Sequence, residues 1–240
     1  MKRMPTAAAL TALLATAGCH GVNAQGSGPT VYRNYQVGNF QQIEVAGSYD
    51  VEVRTGANVS VSAKGGQNVL DHTVVEVSDG KLLIHPEKTS GFFSIGRHGH
   101  ATFIVTVPQL SGASMAGSGD MKVDHVQGDG FEGQIAGSGS LNLGSLDVQQ
   151  LKISIAGSGD AKTGAGKAKS AEYDIAGSGD IDAGGLQTQD TKVSIAGSGG
   201  LKAHAVGTAD ISIMGSGNVD ISGGAKCQIS KAGSGSVRCS

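Results

Sequence analysis

The chain has 240 residues, of which 40 are Gly, five Phe, four Tyr and none Trp, and its formal net charge is −2. A balance of 18 basic against 20 acidic residues excludes the basic surplus of a nucleic-acid binder, so no nucleic-acid partner is expected. Four Pro and no glycine period of three exclude collagen, and no stretch reaches the ~18 apolar residues of a membrane-spanning helix.

The chain opens on an address. Lys2 and Arg3 precede an apolar stretch from Ala7 to Ala17, and Val22-Asn23-Ala24 offers a small-x-small cleavage site before Gln25. This pattern predicts a secretory signal peptide over 1–24. A second reading stays open: Thr16-Ala17-Gly18-Cys19 resembles a lipobox, with Cys19 the lipidated first residue of the mature chain, although Thr16 stands where Leu is usual. Both readings export the protein, to the periplasm, cell envelope or cell surface. Membrane contact would run only through a lipid on Cys19. Residues 25–38 are expected to be a flexible linker, and 39–240 a single domain.

Within 39–110 the strand signal is clear but irregular. Alternation marks Ile43-Glu44-Val45, Val51-Glu52-Val53, Val59-Ser60-Val61, Val74-Val75-Glu76-Val77, Leu82-Leu83-Ile84 and Phe103-Ile104-Val105-Thr106-Val107. Ala46-Gly47-Ser48-Tyr49-Asp50 reads as a degenerate copy of a corner that recurs later. These strands are expected to begin the same solenoid with longer excursions, and Pro108 to mark the transition. The stretch 86–100 is a candidate interaction loop. It holds Phe92, Phe93, Arg97, His98 and His100. Exposed Phe beside Arg would make a recognition patch; folded back, the Phe pair would cover the solenoid. Two His without a third ligand are a thin metal signal, and no cofactor is expected.

From 111 to 240 the chain repeats. Gly-Ser-Gly starts at Gly117, Gly137, Gly157, Gly177, Gly197, Gly215 and Gly233, at spacings of 20, 20, 20, 20, 18 and 18. Stacking the copies produces columns. One reads Met115, Ile135, Ile155, Ile175, Ile195, Ile213, broken by Lys231; another, after the corner, reads Met121, Leu141, Ala161, Ile181, Leu201, Val219, Val237. Period two means strand, and Gly-Ser-Gly would break a helix. A propeller blade needs roughly 40 residues. The prediction is an all-β fold, a parallel β-helix (β-solenoid) with about 20-residue turns and Gly-Ser-Gly corners, two strands to the turn. Seven turns at about 4.8 Å each would build a section roughly 34 Å long.

The corner residues read first as structure. Glycine permits the angles and the close approach of stacked turns, and the interposed Ser column can hydrogen-bond a backbone group or the Ser above. A serine nucleophile would need a base within reach, and none recurs beside it. The following column, Asp120, Ser140, Asp160, Asp180, Gly200, Asn218, Ser236, suits capping of backbone N–H groups; a cation ladder is the alternative. Cys227 and Cys239 fall in inward columns, so a Cys227–Cys239 disulfide is expected to tie off the last turn.

Three features resemble a known family: Phe40-Gln41-Gln42-Ile43-Glu44-Val45-Ala46-Gly47-Ser48-Tyr49-Asp50-Val51, the Val-Thr-Val-Pro-x-Leu at 105–110, and the repeated Gly-Ser-Gly-Asp. Over about 38–240 the chain is similar to the bacterial family described as putative auto-transporter adhesin, head GIN domain. The resemblance implies an exported β-solenoid of the cell envelope and no established activity. The expected function is therefore non-catalytic, adhesin-like or a scaffold, with a cell-surface polysaccharide or an envelope protein as candidate partner. Two alternatives stand beside it: a polysaccharide-active β-helix enzyme, which would need paired carboxylates or a metal with a strong base, and a metal or small-ligand binder using loop 86–100.

Overall fold

The computed structural model describes residues 28–87 and 100–240. The N-terminal region contributes β1 (Thr30–Tyr35), β2 (Gln42–Gly47), β3 (Asp50–Thr55), β4 (Ser60–Gly66), the short helix α1 (Gln67–Asp71), β5 (Thr73–Ser78), β6 (Lys81–Pro86) and β7 (Ala101–Val107). The repeats contribute β8 (Gly112–Gly117), β9 (Asp120–Gly137), β10 (Ser140–Gly157), β11 (Asp160–Thr163), β12 (Gly166–Gly177), β13 (Asp180–Gly197), β14 (Gly200–Gly215), β15 (Asn218–Ser222), β16 (Lys226–Ala232) and β17 (Ser236–Cys239). They form a β-solenoid of about six stacked coils.

Each coil has three sides rather than the expected two. In β10 the buried positions are Leu141 and Leu143, then Leu146 and Val148, then Leu151, Ile153 and Ile155, with the alternation broken at 144–145 and 149–150. A break in period two reverses which face a residue presents, so each break is a corner. The long strands therefore wrap around corners, and neighbouring coils pair in parallel and in register, Leu151 with Phe131 and with Ala171, Ile155 with Ile135 and with Ile175. The two 18-residue spacings also have a structural cause. Between β13 and β14 the pairing passes from Ala183–Ala203 directly to Gln187–His204, and from Thr188–Ala205 to Asp190–Thr208. The first corner loses Gly184, Gly185 and Leu186, and the second gains one residue.

The Gly-Ser-Gly corner is fixed by its own image. Gly157 has φ +134°, and a Cβ there would be driven into the carbonyl oxygen of Gly137. The amide of Ser158 donates to that same oxygen at 2.9 Å, and Ser178 donates to Gly157 at 2.8 Å. The corner thus needs a left-handed residue whose neighbour in the next coil is an equally bare backbone.

Core layers balance large residues against small ones. Phe131 shares its coil with Gly133, which stands at the next inward column position; a Cβ on Gly133 would come within 2.8 Å of Leu141. Tyr173, fully buried, shares its coil with Ala161, Ala168 and Ala171. Close packing demands such compensation within a layer. Among the described residues the Tyr173 hydroxyl and Thr163 Oγ1 are buried without a hydrogen-bond partner, and burial raises the Tyr173 pKa.

The degenerate corner at 46–50 belongs to the same ladder. Gly47 pairs with Gly117, Ser48 Oγ lies 3.0 Å from Ser118 Oγ, and Asp50 Oδ1 accepts from the amide of Asp120 at 3.1 Å. Strands β2 and β3 stack in parallel on β8 and β9. Beyond them the ladder changes character. On one side β6 pairs in parallel with β2 and β5 closes the row antiparallel to β6. On the other, β7 pairs in parallel with β3, then β4 and β1 follow antiparallel.

The expected linker at 25–38 is corrected over its second half. Residues 30–35 form β1, which pairs along its whole length with β4. Its Val31 and Tyr35 lie against the core, and Arg33 pairs with Asp71 and donates to the carbonyl of Leu70 at 2.8 Å. The alternation of half-buried and exposed residues in Thr-Val-Tyr-Arg-Asn-Tyr is the strand signal. Residues 1–27, with the expected signal peptide over 1–24 and the candidate lipidation residue Cys19, lie outside the described residues.

Candidate functional site

The corner column that invited a cation ladder is occupied by the backbone. Asp160 Oδ1 accepts from the amide of Asp180 at 3.1 Å, and Asp180 Oδ1 from the amide of Gly200 at 2.6 Å. Asn218 Oδ1 takes the amide and hydroxyl of Ser236, and Asp120 Oδ1 the hydroxyl of Ser140 at 2.5 Å. Each side chain clips its own coil to the next, which the Asp/Asn mixture in the sequence foreshadows. Among the described residues no group of three or more His, Cys, Asp or Glu is placed to hold a metal ion.

The Ser and Ala columns of the corner face outward. Ser118, Ser138, Ser158 and Ser178 are exposed, as are Ala116, Ala136, Ala156 and Ala176. The Ser amides carry the inter-coil hydrogen bonds. Beside the Ala column runs a shallow trough of about 570 Å³, bordered by Glu44, Gln134, Ser154, Asp174 and Ser194. A second trough of about 530 Å³ lies along the preceding corner, bordered by Gln150, Ser170, Asp190 and Thr208.

Between the two troughs stands a column of alternating sign: Glu132, Lys152, Glu172, Lys192 and Asp210. Lys192 Nζ lies 3.1 Å from Glu172, and Lys152 lies 3.7 Å from Asp174 and 3.9 Å from Glu172. The hydrogen bond to Glu172 raises the Lys192 pKa. In-register stacking of identical residues would set like charges one coil apart, and alternation turns that repulsion into attraction. Lys162–Asp182 and Asp220–Arg238 continue the device on another side.

Stacking also builds two Ser–His pairs that inspection of the repeat alone missed. His125 Nδ1 lies 2.7 Å from Ser145 Oγ, and His204 Nδ1 lies 3.1 Å from Ser222 Oγ. Their spacings, 20 and 18 residues, are one coil each, so a column-by-column search would have found them. Among the described residues no carboxylate side chain orients either imidazole. Asp124, next to His125, instead accepts the amides of His125 and Thr55. A triad needs that orienting group and a set of oxyanion donors.

Cys227 and Cys239 are joined by a disulfide, with Cα atoms 6.6 Å apart. Cys227 stands in register with Ala209 and Cys239 with Ile221, the inward columns expected. Of the candidate loop, His100 is exposed; Phe92, Phe93, Arg97 and His98 lie outside the described residues.

Known proteins share this architecture. A putative adhesin from Bacteroides fragilis is 26% identical, with a TM-score of 0.75 over 87% of this chain and 96% of its own. A structure named as a putative lipid binding protein from Parabacteroides distasonis is 24% identical, with a TM-score of 0.69 over 88% and 96%. A putative adhesin from Parabacteroides merdae is 19% identical, with a TM-score of 0.68 over 88% and 96%. No curated protein matches the sequence. The sequence profile of the putative auto-transporter adhesin, head GIN domain family matches residues 39–225. The chain therefore belongs to the putative auto-transporter adhesin, head GIN domain family.

Proposed function

We propose that this protein is a non-catalytic, exported component of the cell envelope that binds another envelope component along its outer faces, in the manner of an adhesin. The observation that carries this reading is the state of the outer polar groups. The ladder carboxylates are engaged by backbone amides, hydroxyls and paired lysines, so the surface is rigid and patterned. Such a surface suits recognition rather than turnover. The family and the B. fragilis relative support the adhesin reading. The disulfide supports an oxidising compartment, in keeping with a signal peptide over 1–24.

Membrane fractionation and intact mass of the protein from its host test this reading. The expected result is recovery in the envelope or periplasm, with the mature chain beginning at Gln25 or at an acylated Cys19. Recovery as a full-length cytoplasmic chain would contradict it. A polysaccharide depolymerised by the pure protein would contradict the non-catalytic part.

A further inference from the structure

Coils in the middle of the solenoid are covered on both sides. Among the described residues, the coil formed by β16 and β17 is paired on one side only, β16 with β14 and β17 with β15. A row of unpaired strand groups is a template for another chain. A second copy of this chain fits it best, because the core columns of a solenoid are interchangeable from coil to coil. Apolar surface that continues the core is present there: Ile229, in register with Ile211, is 52% exposed.

Two features of the same coil oppose that pairing. Lys231 stands in register with Ile213, at the head of the isoleucine column. Its ammonium donates to the carbonyl of Gly235 at 2.7 Å, and any coil laid over it would bury a charge with no carboxylate to meet it. The coil's other charges, Lys226 and Arg238, are also basic, residues 221–240 hold no Asp or Glu, and among the described residues only Arg238 of the three meets a carboxylate, Asp220 of the coil below. Two such ends brought face to face repel. The Cys227–Cys239 bond then ties β16 to β17 across the end, holding both strands on their partners below.

We propose that the coil Lys226–Cys239 is a stop, in which Lys231 and the Cys227–Cys239 staple keep this end of the solenoid from pairing with a second copy of the chain. Inward-pointing charge on an edge is a general device against edge-to-edge association.

The test compares the full chain, Lys231→Ile, Lys231→Glu and the triple variant Lys231→Ile/Cys227→Ser/Cys239→Ser by sedimentation velocity across a concentration series, with circular dichroism to confirm the fold. The expected result is no association through this coil in the natural sequence or in Lys231→Glu. Lys231→Ile should reach a doubled mass at high concentration, and the triple variant at a concentration about tenfold lower. Lys231→Ile retains the staple, so it decides the matter if the triple variant does not fold. A folded Lys231→Ile protein that stays monomeric throughout overturns the proposal. So does equal association of Lys231→Glu, or a natural chain already paired through β16.

Discussion

The two parts of the solenoid solve opposite problems. In the repeats, from β8 onward, residues meet the equivalent position of the coil next to them, and the sequence is shaped by that contact: bare glycine on glycine at the corner, aspartate on amide, lysine on glutamate. In the N-terminal part the ladder must stop, and self-contact would only continue it. There the chain turns to antiparallel pairs, β5 on β6 and β4 on β7 and β1, and to contacts found once. Tyr49 stands edge-on to Phe103 at 5.5 Å and hydrogen-bonds Thr73 at 3.0 Å, while Arg33 fastens β1 to α1 through Asp71 and Leu70. Translation makes a rod, and irregularity ends it.

The corner is where this contrast breaks most sharply. Gly157→Val is expected to destabilise by about 4 kcal/mol or more, because a branched side chain there meets both a left-handed backbone and the Gly137 carbonyl. Gly38, with nothing within 4 Å of an added Cβ, should accept Ala almost without cost. Denaturant titration of the two variants reads the difference. Removing the staple with Cys227→Ser/Cys239→Ser should cost about 2–3 kcal/mol, felt in β16 and β17 rather than in the N-terminal strands; hydrogen exchange resolved by segment checks this.

Tyr173→Phe sharpens the comparison from inside the rod. It deletes a buried hydroxyl that lacks a partner, so stability should rise by about 1 kcal/mol or stay level. The natural tyrosine has a raised folded-state pKa. Its contribution is present in full below the unfolded value of about 10 and is lost as pH climbs from there through the folded value. The Phe variant should therefore lose stability less steeply above about pH 10. Asp180→Ala, which frees the Gly200 amide, should cost about 1 kcal/mol. The smallest effect belongs to the exposed ladder: Lys192→Glu should lower the denaturation midpoint less than any of the other variants, and the loss should shrink in salt.

The same contrast explains what the sequence could tell. The Gly-Ser-Gly spacing, the isoleucine column and the positions of Cys227 and Cys239 are legible because the repeat aligns the chain against itself. The Asp column was readable as a clip for the same reason. The partners of β1 and β4 were not, since an antiparallel pair such as Val31–Gly65 leaves no period, and Thr30–Tyr35 passed for a linker. The third side of each coil was missed because a corner such as Gly144-Ser145 interrupts alternation for only two residues. The Ser–His pairs were missed because each occurs at a different coil and neither repeats.

Binding of the labelled protein to isolated envelopes of its host tests the central claim most directly, comparing the natural chain with a folded variant carrying Ser154→Arg and Ser194→Arg beside the Ala column. The account predicts saturable binding by the natural chain and its loss in the variant. Equal retention of both proteins, no retention of either, or release of envelope fragments by the natural chain would contradict it.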